Sequence, residues 1–366
     1  MTTTMTTTMD NDNEQKTVVV YPERIVSLLP SITEVLSCLG VANRIVGVTH
    51  CCDYPPEALQ DAQVVTTSDI SPRTMTQEEI HEIVCGSLKA GQSMYGMKSE
   101  VLKEIRPDII FTQSLCDVCA VSYPVVLETC AKLVAGPPLS SSSPHDNDRK
   151  TYPKVISMEP TNLNDVIKTF HVAAAALGRR EIQERADQVT RNIQIGLDTI
   201  QQVVMDRPRP KVAFLEWHAP FFSGGHWIPD MLDIAGGQYD MCLTGNPSAP
   251  VTDEAFCDLD PDIILIGPCG FSLERCVQDT LRILYGNKKD KPWWSKMRAV
   301  KEGRVFCLDG NSYYARPGPR LLQGTGIMAA CMHGEDVAKE LGEDLAPSSG
   351  YLRMTLDNVQ TSTVTQ

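Results

Sequence analysis

The stretch 161–206 constrains this chain more than any other. Apolar residues recur at Ile182, Ala186, Val189, Ile193, Leu197, Ile200 and Val204, steps of four and three that set one stripe along one helix face. A shorter helix comes first, capped by Thr161 or Asn162, running to Leu177 and closed by Gly178. Pro208 and Pro210 stop the second helix. Over 180–206 it extends roughly 40 Å at about 1.5 Å per residue. A helix of that length bridges two lobes.

On either side of it the chain reads nearly the same way twice. The first half opens with a strand-like run at 24–29, then Pro30, Ser31 and a helical run ending in Leu39 and Gly40. The second opens with a strand at 211–215, a loop rich in proline and glycine, and a helical run ending at 235–237. Later in each half a helix, a proline and an aspartate precede an apolar strand: Pro107 and Asp108 in one, Pro261 and Asp262 in the other. Strands alternating with helices predict α/β architecture, two Rossmann-like lobes with mostly parallel sheets joined by one long bridging α-helix. The expected layout is a disordered tail at 1–16, a first lobe at 17–160 with a mobile insertion at 139–150, a helical linker at 161–209, a second lobe at 210–341 and a disordered tail at 342–366. Ligands of such sheets bind outside the strands' carboxyl ends, so the loops there are where function is sought.

Composition narrows the function classes. With 366 residues, 42% hydrophobic, the chain has material for two ordinary cores, and no run approaches the roughly 18 apolar residues of a membrane span. Against 33 basic side chains stand 46 acidic ones, and a net charge of −13 argues against nucleic acid or an anionic membrane as partner. The first residues lack the basic and apolar regions of a secretory signal, and thirteen cysteines, an odd number, suit a reducing compartment. Both observations predict a cytoplasmic address.

The first strand runs into Pro30, Ser31 and, three residues on, Glu34, the spacing of a capping box with Ser31 as cap. Its amides could equally face a polar ligand edge. The strand Ile45–Val48 then delivers His50, Cys51, Cys52, Asp53 and Tyr54 into a loop stiffened by Pro55 and Pro56. This run of Ser27 to Glu34, the helix closed at Gly40, the strand, and Asp53-Tyr54-Pro55-Pro56 resembles the first lobe of the cobalamin-binding proteins. These are helix-bridged substrate-binding proteins that deliver corrinoids and siderophores to importers, and the likeness covers roughly 24–331. It implies a corrinoid ligand in a cleft between the lobes, Tyr54 against the corrin, and aromatic residues from the loop after the second lobe's first strand. It also implies an acid on each lobe that docks on a permease. The second falls at Glu254, but the first position holds Ala62, so docking is in question.

Other candidates follow from place. Tyr95 and Gln113 flank strand ends of the first lobe. In the second, the segment holding Glu216, Trp217, His226 and Trp227 concentrates aromatic and imidazole groups, Phe271 follows the strand Ile263–Ile266, and Tyr313 with Arg316 follows Val305–Leu308. Each aromatic has an ordinary reading as packing, and Arg316 as a salt bridge. Trp293 and Trp294 read as lobe packing.

Cys116 and Cys119 leave one strand as a Cys-x-x-Cys pair, and Cys269 leaves the corresponding strand of the other lobe; with His50 or Cys52 they make a soft ligand set suited to zinc or an iron–sulfur cluster. The chain carries no Walker loop, nucleophile elbow or His-Glu-x-x-His. The leading expectation is a monomeric binding protein for cobalamin or a precursor, a non-exported carrier or an importer-related protein, with no requirement for an enzyme. The alternative is a metal-binding or thiol-dependent enzyme on the same frame.

Overall fold

The computed structural model describes residues 21–91, 93–114, 121, 123–135, 153–286 and 291–355, together with a two-residue antiparallel pairing of β1 (Thr4–Met5) with β2 (Val18–Val19). The chain divides into two compact units that are not collinear with it. The first comprises Met1–Asp69, Ser87–Glu159 and Lys168–Thr190; the second comprises Ile70–Gly86, Pro160–Ile167 and Arg191–Gln366.

In the first unit β3 (Ile25–Ser27) lies between β4 (Ile45–Val48) and β8 (Ile109–Thr112), with β5 (Gln63–Val64) and β9 (Lys154–Ser157) at the edges, all parallel. Runs such as Ile109 to Phe111 are apolar throughout because a parallel strand buries both faces. Val26, Leu28, Val65, Leu102, Ile105 and Ile110 make the core on one side. A separate two-stranded ladder pairs β6 (Thr66–Ser68) with β7 (Tyr95–Met97).

The second unit has a six-stranded sheet of order β12-β11-β10-β13-β14-β15. Its middle strands β10 (Val212–His218), β13 (Ile263–Ile266) and β14 (Val305–Leu308) are parallel, as expected. The flanks are antiparallel: β11 (Phe221–Ser223) folds back on β10, β12 (Pro250–Val251) pairs with β11, and β15 (Tyr351–Arg353) pairs with β14. The sheet is therefore mixed. β15 lies inside the stretch read as a disordered tail. Its Tyr351 and Leu352 alternate across the edge opposite Leu308 and Cys307, and Met354 is buried beyond it, so pairing on an open edge orders a segment that composition alone leaves loose.

The linker behaves as its pattern requires. Asn162 Oδ1 accepts the Asp165 N–H (2.9 Å), the first helix runs Leu163–Leu177, and Gly178 takes a φ of 80°, the left-handed turn that ends it. The second helix, Arg180–Val204, is unbroken, and Ile182, Ala186, Ile193, Leu197, Ile200 and Val204 are its buried stripe. Its residues to Thr190 belong to the first unit and those from Arg191 to the second. Among the described residues no helix is long and apolar enough to cross a membrane.

Candidate functional site

In each unit the chain leaves the central strand pair in opposite directions, β3 with β8 and β10 with β13, and the carboxyl ends of such a pair are where open α/β sheets hold ligands.

At that end of the first unit, Tyr54 is 45% exposed on the loop after β4, and buried Gln113 follows β8. His50 donates its backbone N–H to Thr66 Oγ1 (3.0 Å), its Nδ1 lies 2.8 Å from the same oxygen, and its ring stacks on Tyr95 at 5.5 Å. Desolvation there, with the Lys98 ammonium adding to it, pushes the imidazole below its ordinary value. Cys52 Sγ lies 3.2 Å from Thr33 Oγ1. Glu159, after β9, accepts hydrogen bonds from Ser157 Oγ (2.7 Å) and Ser114 Oγ, and these hold its carboxyl below the usual range.

Ser31 does not cap the helix. The helix spans Pro30–Cys38 with Pro30 in its first turn and Leu29 as the cap residue, with no side-chain cap bond, and Ser31 is buried inside that turn. Proline sits well at the first helical position because its fixed φ is already helical and its missing N–H would have no partner there. Helix formation therefore begins two residues earlier than the capping-box spacing suggests.

In the second unit Glu216, Trp217 and His218 belong to β10 rather than to a loop, because the chain turns at Ala219 and Pro220 and pairs Trp217 with Phe222 and His218 with Phe221. The register shifts between Leu215 and Trp217, a bulge at Glu216 that aims its carboxylate at Ser248 Oγ, which donates to it. Trp217 packs on Phe271 (5.2 Å between rings), and its Nε1 is buried without a protein acceptor among the described residues. Phe271 is only 1% exposed. Trp227, 8% exposed, donates its indole N–H to the Tyr314 carbonyl (2.8 Å), so it anchors the inside of the unit. His226 packs tilted against it at 5.5 Å, and burial lowers its pKa. Arg316 is 7% exposed and donates to Asn311 Oδ1 (2.9 Å), and Tyr313 lies beneath Arg320. Gly310 backs onto this group: a side-chain carbon there would meet the Pro268 carbonyl at 2.0 Å, so the loops after β13 and β14 are held in close approach. Cys269, in the first of those loops, is exposed.

Cys116 and Cys119 lie outside the described residues. Among the described residues no group of three His, Cys, Asp or Glu side chains is placed to hold a metal ion. His50 and Cys52 instead meet the hydroxyls of Thr66 and Thr33.

Sequence reasoning missed His218 and Gln77 as a unit. Both are fully buried. Gln77 Nε2 donates to His218 Nδ1 (2.5 Å), which leaves His218 Nε2–H to donate to Thr280 Oγ1 (2.7 Å). Burial, with the Arg282 and Arg275 charges adding to it, pushes His218 down to about 3. The signal available in sequence was a polar residue at the buried phase of a strand.

The geometry matches known proteins. A family model for periplasmic binding proteins matches residues 139–311. Over 337 residues the chain is 22% identical to an uncharacterized ABC transporter substrate-binding lipoprotein, YvrC, of Bacillus subtilis, covering 90% of this chain and 86% of that one. Over those spans the chain is similar to periplasmic binding proteins. The chain also shares its fold with the periplasmic vitamin B12 binding protein BtuF of Vibrio cholerae, at 17% identity and a TM-score of 0.55, covering 87% of this chain and 96% of that one. The periplasmic heme-binding protein RhuT of Roseiflexus sp. RS-1 is similar at 19% identity and a TM-score of 0.58, covering 86% and 99%. At such identities the likeness is one of fold.

These relatives correct the cytoplasmic address. One is a lipoprotein and two are periplasmic, all exported classes, and the non-exported carrier falls with that expectation. An address is carried by a targeting segment, whereas cysteine number and composition describe the folded units.

Proposed function

We propose that this substrate-binding protein, of the type that serves ABC transporters, binds a corrinoid, cobalamin or a precursor, at the loops that leave the carboxyl ends of its sheet strands. The observation that carries the reading is Tyr54. It is a large aromatic ring, 45% exposed, at the end of β4 and on a loop stiffened by two prolines. A flat macrocycle covers such a ring with little loss of side-chain freedom, since tyrosine has few torsions to fix. Tyr95, Gln113 and His50 supply polar and aromatic edges in the same unit, and Glu216, Trp217, Tyr313 and Arg316 do so in the other. Support also comes from a structural neighbour whose name states that it binds vitamin B12. For recognition by a permease, Glu254 is an exposed acid at the start of the helix Asp253–Leu259, and Ala62 offers no charge.

Calorimetric titration with cobalamin, cobinamide and hemin, followed in parallel by absorbance, tests the reading. Saturable binding of either corrinoid is the expected result. Binding of hemin alone transfers the site to another macrocycle, and binding of none of the three removes the ligand assignment.

A further inference from the structure

The segment Ile70–Gly86 belongs to the second unit although the chain on either side of it belongs to the first. What fixes it is a set of directed polar contacts. Arg275 donates from Nη1 to the Pro72 carbonyl (2.8 Å), from Nη2 to the Met75 carbonyl (2.9 Å) and from Nε to Asp279 Oδ2 (2.8 Å). Two turns on, Arg282 grips Glu78 with two nitrogens at 3.0 and 3.1 Å. Between them Gln77, fully buried, meets His218.

The same contacts reach the aromatic residues of the candidate ligand face. The Arg275 guanidinium lies 4.6 Å over the Phe271 ring, and Phe271 packs on Trp217 at 5.2 Å. His218, which takes the Gln77 amide, is the next residue of β10 after Trp217. A guanidinium is planar and rigid. When its edge nitrogens are fixed by two carbonyls and a carboxylate, its face is fixed too, and so is the ring beneath it.

We propose that Ile70–Gly86 is a strap of the second unit that fixes the buried Phe271 ring and through it holds Trp217 in position for ligand, with Arg275 and Gln77 as positioning residues. The proposal rests on the ligand reading given above for its consequence in binding, but not for the strap itself. Lysine at 275 keeps the charge but lacks the planar fork and the flat face that fix the ring beneath it. The hydrogen bonds at stake are charge-assisted, and their loss loosens a local element rather than the whole unit.

The experiment uses the full chain labelled with 5-fluorotryptophan, whose four indoles are assigned with single Trp→Phe variants. In Arg275→Lys, amide exchange across residues 71–86 is expected to rise about tenfold, the size of change that one or two charge-assisted hydrogen bonds give. The Trp217 fluorine resonance is expected to move while those of Trp293 and Trp294 hold, and cobalamin affinity to fall about tenfold. Glu78→Gln, which leaves Arg275 in place, should raise exchange less and leave the Trp217 resonance unmoved. Faster exchange with an unmoved Trp217 resonance in Arg275→Lys overturns the positioning role, and unchanged exchange overturns the strap. If the wild-type protein takes up no cobalamin, the ligand reading fails by itself, while exchange and fluorine shifts still decide the strap.

Discussion

The two units use one device to start their sheets and then diverge. In the first, Arg106 ends a helix in the left-handed conformation, Pro107 follows, and Asp108 Oδ2 accepts the N–H groups of Glu23 and Arg24 at 2.9 Å just before β3. In the second, Asp260 takes the same conformation, Pro261 follows, and Asp262 Oδ2 accepts the Lys211 N–H at 2.7 Å just before β10. Beyond these starts the strand ends differ. The first unit leaves Tyr54 in solvent, whereas the second draws Phe271 and Trp227 inside and fixes them by packing and a hydrogen bond. Loops that follow strands in the two units thus carry an exposed ring in one and buried rings in the other.

The largest expected effect breaks that contrast directly. Phe271→Ala empties a fully packed site and should lower the unfolding free energy by about 3–5 kcal/mol, whereas Tyr54→Ala should change it by less than about 0.5 kcal/mol. Urea denaturation of both variants measures the difference. Comparable losses would mean that the two rings do not differ in role.

Acid should act next, and on the second unit through His218. Its pKa is about 3 when folded against 6.5 ordinarily, chiefly through burial and then through Arg282 and Arg275, opposed by Glu78. Between those values the unfolded chain binds a proton that the folded chain does not, so stability falls as pH drops from about 6.5 towards 3 and is fully present above 6.5. His218→Gln should remove that slope, seen as a flatter dependence of thermal midpoint on pH. An unchanged slope would place the acid sensitivity elsewhere.

The smallest effect sharpens the likeness. Asp108→Ala and Asp262→Ala each strip hydrogen bonds from backbone N–H groups and should cost about 1–2 kcal/mol in denaturant unfolding. Desolvation works against ionisation of Asp262, but the Lys211 N–H and Arg298 outweigh it and hold the carboxyl below its ordinary value. Its contribution is therefore present above the usual aspartate range and lost as pH falls through the lower, folded value. Asp262→Asn should lose that acid dependence, and a dependence retained in full would show that Asp262 is not its source.

Much of this frame was legible in residues. The stripe from Ile182 to Val204 specified an unbroken helix because a 3.6-residue period is a local property. The strands at Ile45–Val48, Ile263–Ile266 and Val305–Leu308 announced themselves as apolar runs bounded by turn residues. Candidate ligand residues were legible only as positions after strands. Whether Trp227 or Tyr54 turned outward could not be read, because both sit among glycines and prolines in segments with no period.

What the sequence by itself determined was the alternation of helices and strands, the repeated Pro-Asp strand start and the long helix between two α/β halves, all set by spacing within a few residues. The tertiary structure decided the rest. Strand β15 is ordered because β14 leaves an edge to pair with, and β10 reaches His218 because β11 folds back on it. Ile70–Gly86 joins the second unit through an arginine and a histidine about 140 to 200 residues further along. Such contacts depend on which surfaces meet, and the free energy of an edge bond, a buried amide or a stacked guanidinium exists only once the partner is in place.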